Sequence, residues 1–198
     1  MKDKDFGIEV ELTGITRAQA AEAVRNLLGG TTERKYDGYD TYAVKAPDGR
    51  VWKLMSDASI TTQTKVNGKI TAVDKSYSVE LVSPILTYDK DINTLQEIIR
   101  VLRRAGGFTN ASTGIHIHIT GEGHTPRSVR NFINIIASKN DLFYKALQIE
   151  PERVRYCKAL DSILVEKMNS KKPTTMEQIA DIWYAGYQDN RDRHYHSS

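Results

Sequence analysis

The sequence predicts an α+β domain: an antiparallel sheet with helices gathered on one side. Three observations predict it. Residues 6–12 and 115–119 alternate apolar and polar side chains with period two, the pattern of half-buried strands. The strands between them are joined by tight turn signals, Ala46-Pro47-Asp48-Gly49 and Asn67-Gly68, which favour hairpins over crossovers. From Pro126 onward the pattern changes to helical spacing.

Each element follows from local chemistry. In residues 6–12, Phe6, Ile8, Val10 and Leu12 point one way, and Glu9 and Glu11 point the other. Thr16 with Gln19 three residues on forms a capping-box pattern, so a helix starts there. Ala20, Ala23, Val24, Leu27 and Leu28 give it an apolar stripe, and Gly29-Gly30 ends it. Residues 39–45 and 50–55 read as strands flanking the Pro-Asp-Gly turn, and 61–66 and 69–73 as strands flanking Asn67-Gly68. Residues 76–82 read as a further strand that ends at Ser83-Pro84. A helix over 91–105 faces inward through Ile92, Leu95, Ile98, Ile99 and Leu102. Beyond residue 120 the spacing predicts helices over 126–139, 141–147, 151–167 and 175–184, two of them with proline in the first turn. The whole reads as one domain over 1–198, strand-rich over 1–120 and helical over 121–198.

Composition narrows the function. The 198 residues hold 28 basic and 25 acidic side chains, spread without a basic block, so composition gives little support to nucleic acid as a partner. The single cysteine, Cys157, excludes an internal disulfide framework and a cysteine-based zinc cluster. No apolar run approaches the ~20 residues of a membrane span, and no signal-peptide core opens the chain. The expectation is a soluble cytoplasmic protein.

The chemistry-bearing residues lie on strands. Glu9 and Glu11 share one strand face, where two carboxylates repel unless water or a cation intervenes. His116 and His118 share another, backed by three isoleucines, and imidazole is a common metal ligand. Glu80 stands in the otherwise apolar Val79-Glu80-Leu81-Val82, where burial without a partner is costly. Asp57 and Ser59 follow the strand that carries Trp52; they suit a turn or the polar end of a strand aimed into a cleft. Ser112-Thr113-Gly114 precedes the histidine strand, and glycine there permits close backbone approach. Each pattern alone has an ordinary explanation as a solvated face. Together, three carboxylates and two histidines gathered on one sheet would need cations to hold them.

The order of these motifs resembles the amidoligase family. The matching segments are Phe6-Gly7-Ile8-Glu9-Val10-Glu11-Leu12, then Trp52 with Asp57-Ala58-Ser59, then Val79-Glu80-Leu81-Val82-Ser83-Pro84, then Gly114-Ile115-His116-Ile117-His118. The family is common in bacteria and their phages, and is grouped with glutamine synthetase and glutamate–cysteine ligase. The resemblance implies a glutamine synthetase-like core, a curved half-open antiparallel sheet with helices outside. It implies ATP-dependent ligation of a carboxylate-bearing small molecule or peptide to an amine, through an acyl phosphate, with Mg²⁺ or Mn²⁺. By the same resemblance Glu9, Glu11, Glu80 and His116 are metal ligands and His118 lines the nucleotide pocket. Asp57 and Ser59 lie at the acceptor, and Lys53, Arg191 and Arg193 are candidate phosphate contacts. Family members continue past a motif like Arg193-His194-Tyr195-His196 into a strand of the type Ile-Glu-Phe-Arg. This sequence ends at Ser198, so the expected core lacks that strand and exposes a sheet edge.

Two other readings use the same residues. The Glu and His cluster would equally serve a metal-dependent hydrolase or nuclease that activates water. A non-enzymatic module would instead present Tyr36, Tyr39, Tyr42, Trp52 and Tyr77 to a peptide or a nucleic-acid strand.

Overall fold

The structure, a computed structural model, describes residues 4–149, 151, 154 and 156–184. The chain divides into two compact units, residues 1–120 and 121–198.

The first unit is built on a seven-stranded sheet. Its strands are β1 (Asp5–Leu12), β2 (Thr31–Lys35), β3 (Thr41–Lys45), β4 (Val51–Met55), β7 (Val79–Val82), β8 (Leu86–Thr87) and β9 (Ile115–Ile119). A separate hairpin pairs β5 (Gln63–Val66) with β6 (Lys69–Ala72). The sheet runs β2-β3-β4-β7-β1-β8, with β9 also on β1, and every pairing is antiparallel. β1 therefore lies between β7 and β9 and carries Glu9 and Glu11 into the middle of the sheet.

Two helices belong to this unit, α1 (Arg17–Leu28) and α2 (Tyr88–Arg104). α1 begins with the expected box: the Thr16 hydroxyl accepts from Gln19 N–H, and the Gln19 side chain returns to Thr16 N–H. It ends at Gly29, whose φ of 68° is the left-handed cap that glycine adopts without strain. Ala20, Ala21 and Val24 of α1 and Leu95, Ile98 and Leu102 of α2 pack with Val10, Leu12, Val44, Trp52, Leu54, Val79 and Leu81. Both helices thus bury the apolar sheet face. The polar face, with Glu9, Glu11 and Glu80, is the other one.

The second unit contains α3 (Pro126–Ala146), α4 (Ser162–Lys171) and α5 (Met176–Trp183). Its core is small: Ile133, Met168, Ile179 and Ile182, with Val129, Leu160, Leu164, Val165 and Trp183 around them.

Several element boundaries differ from expectation, each for a local reason. β2 was not foreseen, because all five of its side chains are exposed and none is apolar. Residues 75–77 form a single 3₁₀ turn, not the start of a strand, because the Asp74 carboxylate caps it by accepting from Ser76 N–H. The two helices expected over 126–147 are one, since no glycine or proline interrupts Asn140-Asp141. Within the helix expected over 151–167, the described helix is α4, which starts at Ser162 where the Asp161 carboxylate accepts from Ile163 N–H. Cys157 is exposed and lies outside any helix, and its carbonyl accepts from the Tyr144 hydroxyl. Trp52 is buried in the core, with Tyr42 packed against it, so the five aromatic residues do not form one binding surface.

No helix among the described residues is long and apolar enough to cross a membrane.

Candidate functional site

Strand register assembles the site. Glu11 lies opposite Glu80 on β7, and Glu9 lies opposite His116 on β9. Gly7 lies opposite His118. Opposed residues share a face, so all five chemistry-bearing side chains stand on the side away from α1 and α2. Glu80 in turn lies opposite Met55, the last residue of β4, and Asp57 follows two residues later.

Carboxylate oxygens of Glu11, Asp57 and Glu80 come within 4.8 Å of one another. Glu11 is the buried member, with its side chain 4% exposed. Its Oε2 accepts from Gly114 N–H at 2.7 Å, and its backbone N–H donates to the Gly114 carbonyl at 3.0 Å. Its Oε1 lies 3.5 Å from His116 Nε2. A second group adjoins this one: His118 Nε2 is 3.3 Å from Glu9 Oε1, and His116 Nδ1 is 3.9 Å from Glu9 Oε2.

The electrostatics follow from this crowding. Burial pushes the Glu80 carboxyl up from 4.5 to about 7, and the negative charges of Glu9, Asp57 and Glu11 push the same way; His116 opposes them. The His116 imidazole is raised by its contact with Glu11, against burial, and Glu9 and Glu80 add to the rise. Convergent carboxylate oxygens with imidazole nitrogens beside them form a donor set suited to Mg²⁺ or Mn²⁺. The donor set therefore fits a divalent cation, which would offset the mutual repulsion of these carboxylates.

The loop that carries Asp57 is pinned on two sides. Ser78, fully buried, accepts from Asp57 N–H at 3.0 Å and donates to the Asp57 carbonyl at 2.6 Å. Ser59 N–H donates to Asp57 Oδ1 at 2.5 Å, an Asx turn that closes the loop. Ser59 is exposed, and Asp57 groups with Glu11 and Glu80. Lys53 is exposed on the same face as Glu9, with Val82 between them in the cross-strand row. It forms no ion pair with any described residue. Arg191 and Arg193 lie outside the described residues.

The sequence did not single out Ser78 or Asn110, and it marked Ser112 only as part of Ser112-Thr113-Gly114, without the bonds by which these three fix the geometry. The only signal was their type, since Ser and Asn beside motif residues suit side-chain to backbone bonds. Their partners lie 21 to 51 residues away, which no local pattern reveals.

Fold and site together define an α+β protein with a carboxylate–histidine cluster on the sheet face opposite its helices. The model of a family described as "Putative amidoligase enzyme" matches residues 2–198. The chain belongs to that family. No curated protein matches it.

Proposed function

We propose that the protein is an ATP- and divalent-cation-dependent carboxylate–amine ligase whose sheet serves as a glutamine synthetase-like catalytic core. The observation that carries this reading is the convergence of Glu11, Asp57 and Glu80, beside Glu9, His116 and His118, in a chain of the amidoligase family. Glu11, Asp57 and Glu80 would hold one cation, and Glu9 with His116 and His118 a second. When bound, Mg²⁺ or Mn²⁺ supplies the positive charge that lets a triphosphate and a carboxylate approach each other.

The remaining work falls to the chain's own groups. Lys53, two strands from Glu9 and in no ion pair among the described residues, would meet a phosphate or a substrate carboxylate. Gly114 N–H keeps Glu11 oriented through Oε2, with Oε1 on the His116 side. His118, half exposed, lies toward the solvent side of the cluster, where a nucleotide would enter. Ser59 sits beside Asp57 at the loop rim, next to the acceptor. The substrates are a carboxylate-bearing small molecule or peptide and an amine, joined through an acyl phosphate formed from ATP. The protein acts in the cytoplasm.

Thermal unfolding with Mn²⁺ and a non-hydrolysable ATP analogue, alone and together, tests this. A ligand at 100 times its Kd stabilises by about 2.7 kcal/mol. The analogue should stabilise only when Mn²⁺ is present, and Glu80→Gln or His116→Ala should remove the effect. Stabilisation by Mn²⁺ with none from the analogue, together with ATP-independent ester cleavage, would replace the ligase with a metal-dependent hydrolase.

A further inference from the structure

The segment between Phe108 and Gly114 does more than connect β9 to the rest of the sheet. The Asn110 side chain uses both ends of its amide. Its Oδ1 accepts from Ser112 N–H at 3.0 Å and from the Ser112 hydroxyl at 2.6 Å, which folds the turn. Its Nδ2 reaches a different part of the chain, donating to the Thr61 carbonyl at 2.8 Å and to Gln63 Oε1 at 2.9 Å. The Ser112 hydroxyl completes the link by accepting from Thr61 N–H at 2.8 Å. Thr61 therefore has both backbone groups held by this segment.

Thr61 closes the loop that carries Asp57 and Ser59, with the buried Ile60 between. At the other end of the segment, Gly114 N–H holds Glu11. The tie thus runs from one carboxylate of the cluster to another across two loops that no strand ladder joins. An asparagine that only shaped a turn would use Oδ1 and leave Nδ2 to solvent. Here Nδ2 is committed to the Asp57 loop.

We infer that Asn110, assisted by Ser112, is a positioning residue for cation binding: it fixes the Asp57 loop against the segment that orients Glu11. This rests on the reading above that Glu11, Asp57 and Glu80 hold a divalent cation. Groups that orient metal ligands at one remove cost about 10–100-fold in metal affinity when lost.

The test is Mn²⁺ binding to the full chain, read by the electron paramagnetic resonance signal of free Mn²⁺ and by unfolding with and without Mn²⁺. Asn110→Ala should weaken Mn²⁺ binding by about 10–100-fold, more than its metal-free unfolding temperature would suggest. Ser112→Ala should weaken it in the same direction, and Ser112→Thr, which keeps the hydroxyl, should restore most of the binding. If Asn110→Ala does not fold, the contrast between Ser112→Ala and Ser112→Thr decides. Variants that unfold more easily yet bind Mn²⁺ as tightly as wild type would overturn the inference and leave Asn110 a purely structural turn residue. A wild-type chain that binds no Mn²⁺, or a Glu80→Gln variant that binds it equally well, would overturn the cation site itself and this inference with it.

Discussion

Glu80 shows what a single side chain contributes to the balance between folding and function. Its carboxyl titrates near 7 in the folded chain against 4.5 in ordinary surroundings, so the folded state holds a proton that the unfolded state releases. Stability contributed by such a group falls as pH rises through that window. His116, also raised, adds in the same direction: its favourable contact with the carboxylates is present at low pH and is lost as the imidazolium deprotonates. In EDTA, Glu80→Gln should therefore unfold at a higher temperature than wild type at pH 8, and the difference should shrink toward pH 5. With saturating Mn²⁺ at pH 8 the order should reverse, because a neutral amide is a poor substitute for a carboxylate ligand. Calorimetry across that pH range checks both signs. That Glu80, alone in the otherwise apolar Val79-Glu80-Leu81-Val82, needs solvent or a partner was legible, but its neighbours were not. Glu11 and Glu80 are opposed through a register set by tertiary pairing, and Asp57 joins them from a loop whose path Ser78 determines.

At the scale of elements, α1 does more than cover the sheet. Its first residue, Arg17, is buried and forms a 2.7 Å ion pair with Asp40. It also donates to the carbonyls of Lys75 at 2.6 Å and Ser78 at 2.8 Å. Ser78 in turn fastens the Asp57 loop, so the helix start is connected to the site through two side chains. Removing one member of a buried pair costs about 3–5 kcal/mol. Asp40 is 32% exposed, so Arg17→Ala should fall at the lower end, about 3 kcal/mol by urea unfolding. The capping box of α1 and the Asn67-Gly68 hairpin were both readable in advance, because each is encoded within a few residues. β2 and the α3 continuation were not. Thr31–Lys35 carries no apolar alternation, and the junction at Asn140-Asp141 carries no true breaker. β2 forms because β3 pairs with it, and α3 runs on because nothing local stops it.

At the scale of the whole molecule, every described candidate ligand belongs to the first unit. That unit has its own sheet, two helices and a core running from Val10 to Leu102. The second unit has a core of four buried side chains and their partners. A fragment ending at residue 123 should fold and bind Mn²⁺ within a few-fold of the full chain. Titration of both proteins under the same conditions checks this, and a fragment that folds but does not bind would place a ligand beyond residue 123. The broad class, an antiparallel sheet with helices on one face, was legible from hairpin signals and from the change in period at Pro126. The placing of the candidate metal ligands in the strand-rich part was legible as well; that the two parts form separate compact units was not, since composition barely changes across the boundary.

The alternation of β1 also bears on how this gene can change. Glu9 and Glu11 face the site only because an apolar residue separates each from the next, and β1 is flanked by strands on both sides. A single inserted or deleted codon within β1 would put the residues on one side of it out of phase, turning a carboxylate toward α1 and α2 and an apolar side chain to the site. The same lesion at Asn67-Gly68, in an exposed turn, would only alter a loop. Lineages should therefore accumulate length variation at the hairpin tip and none within the strand at the centre of the sheet.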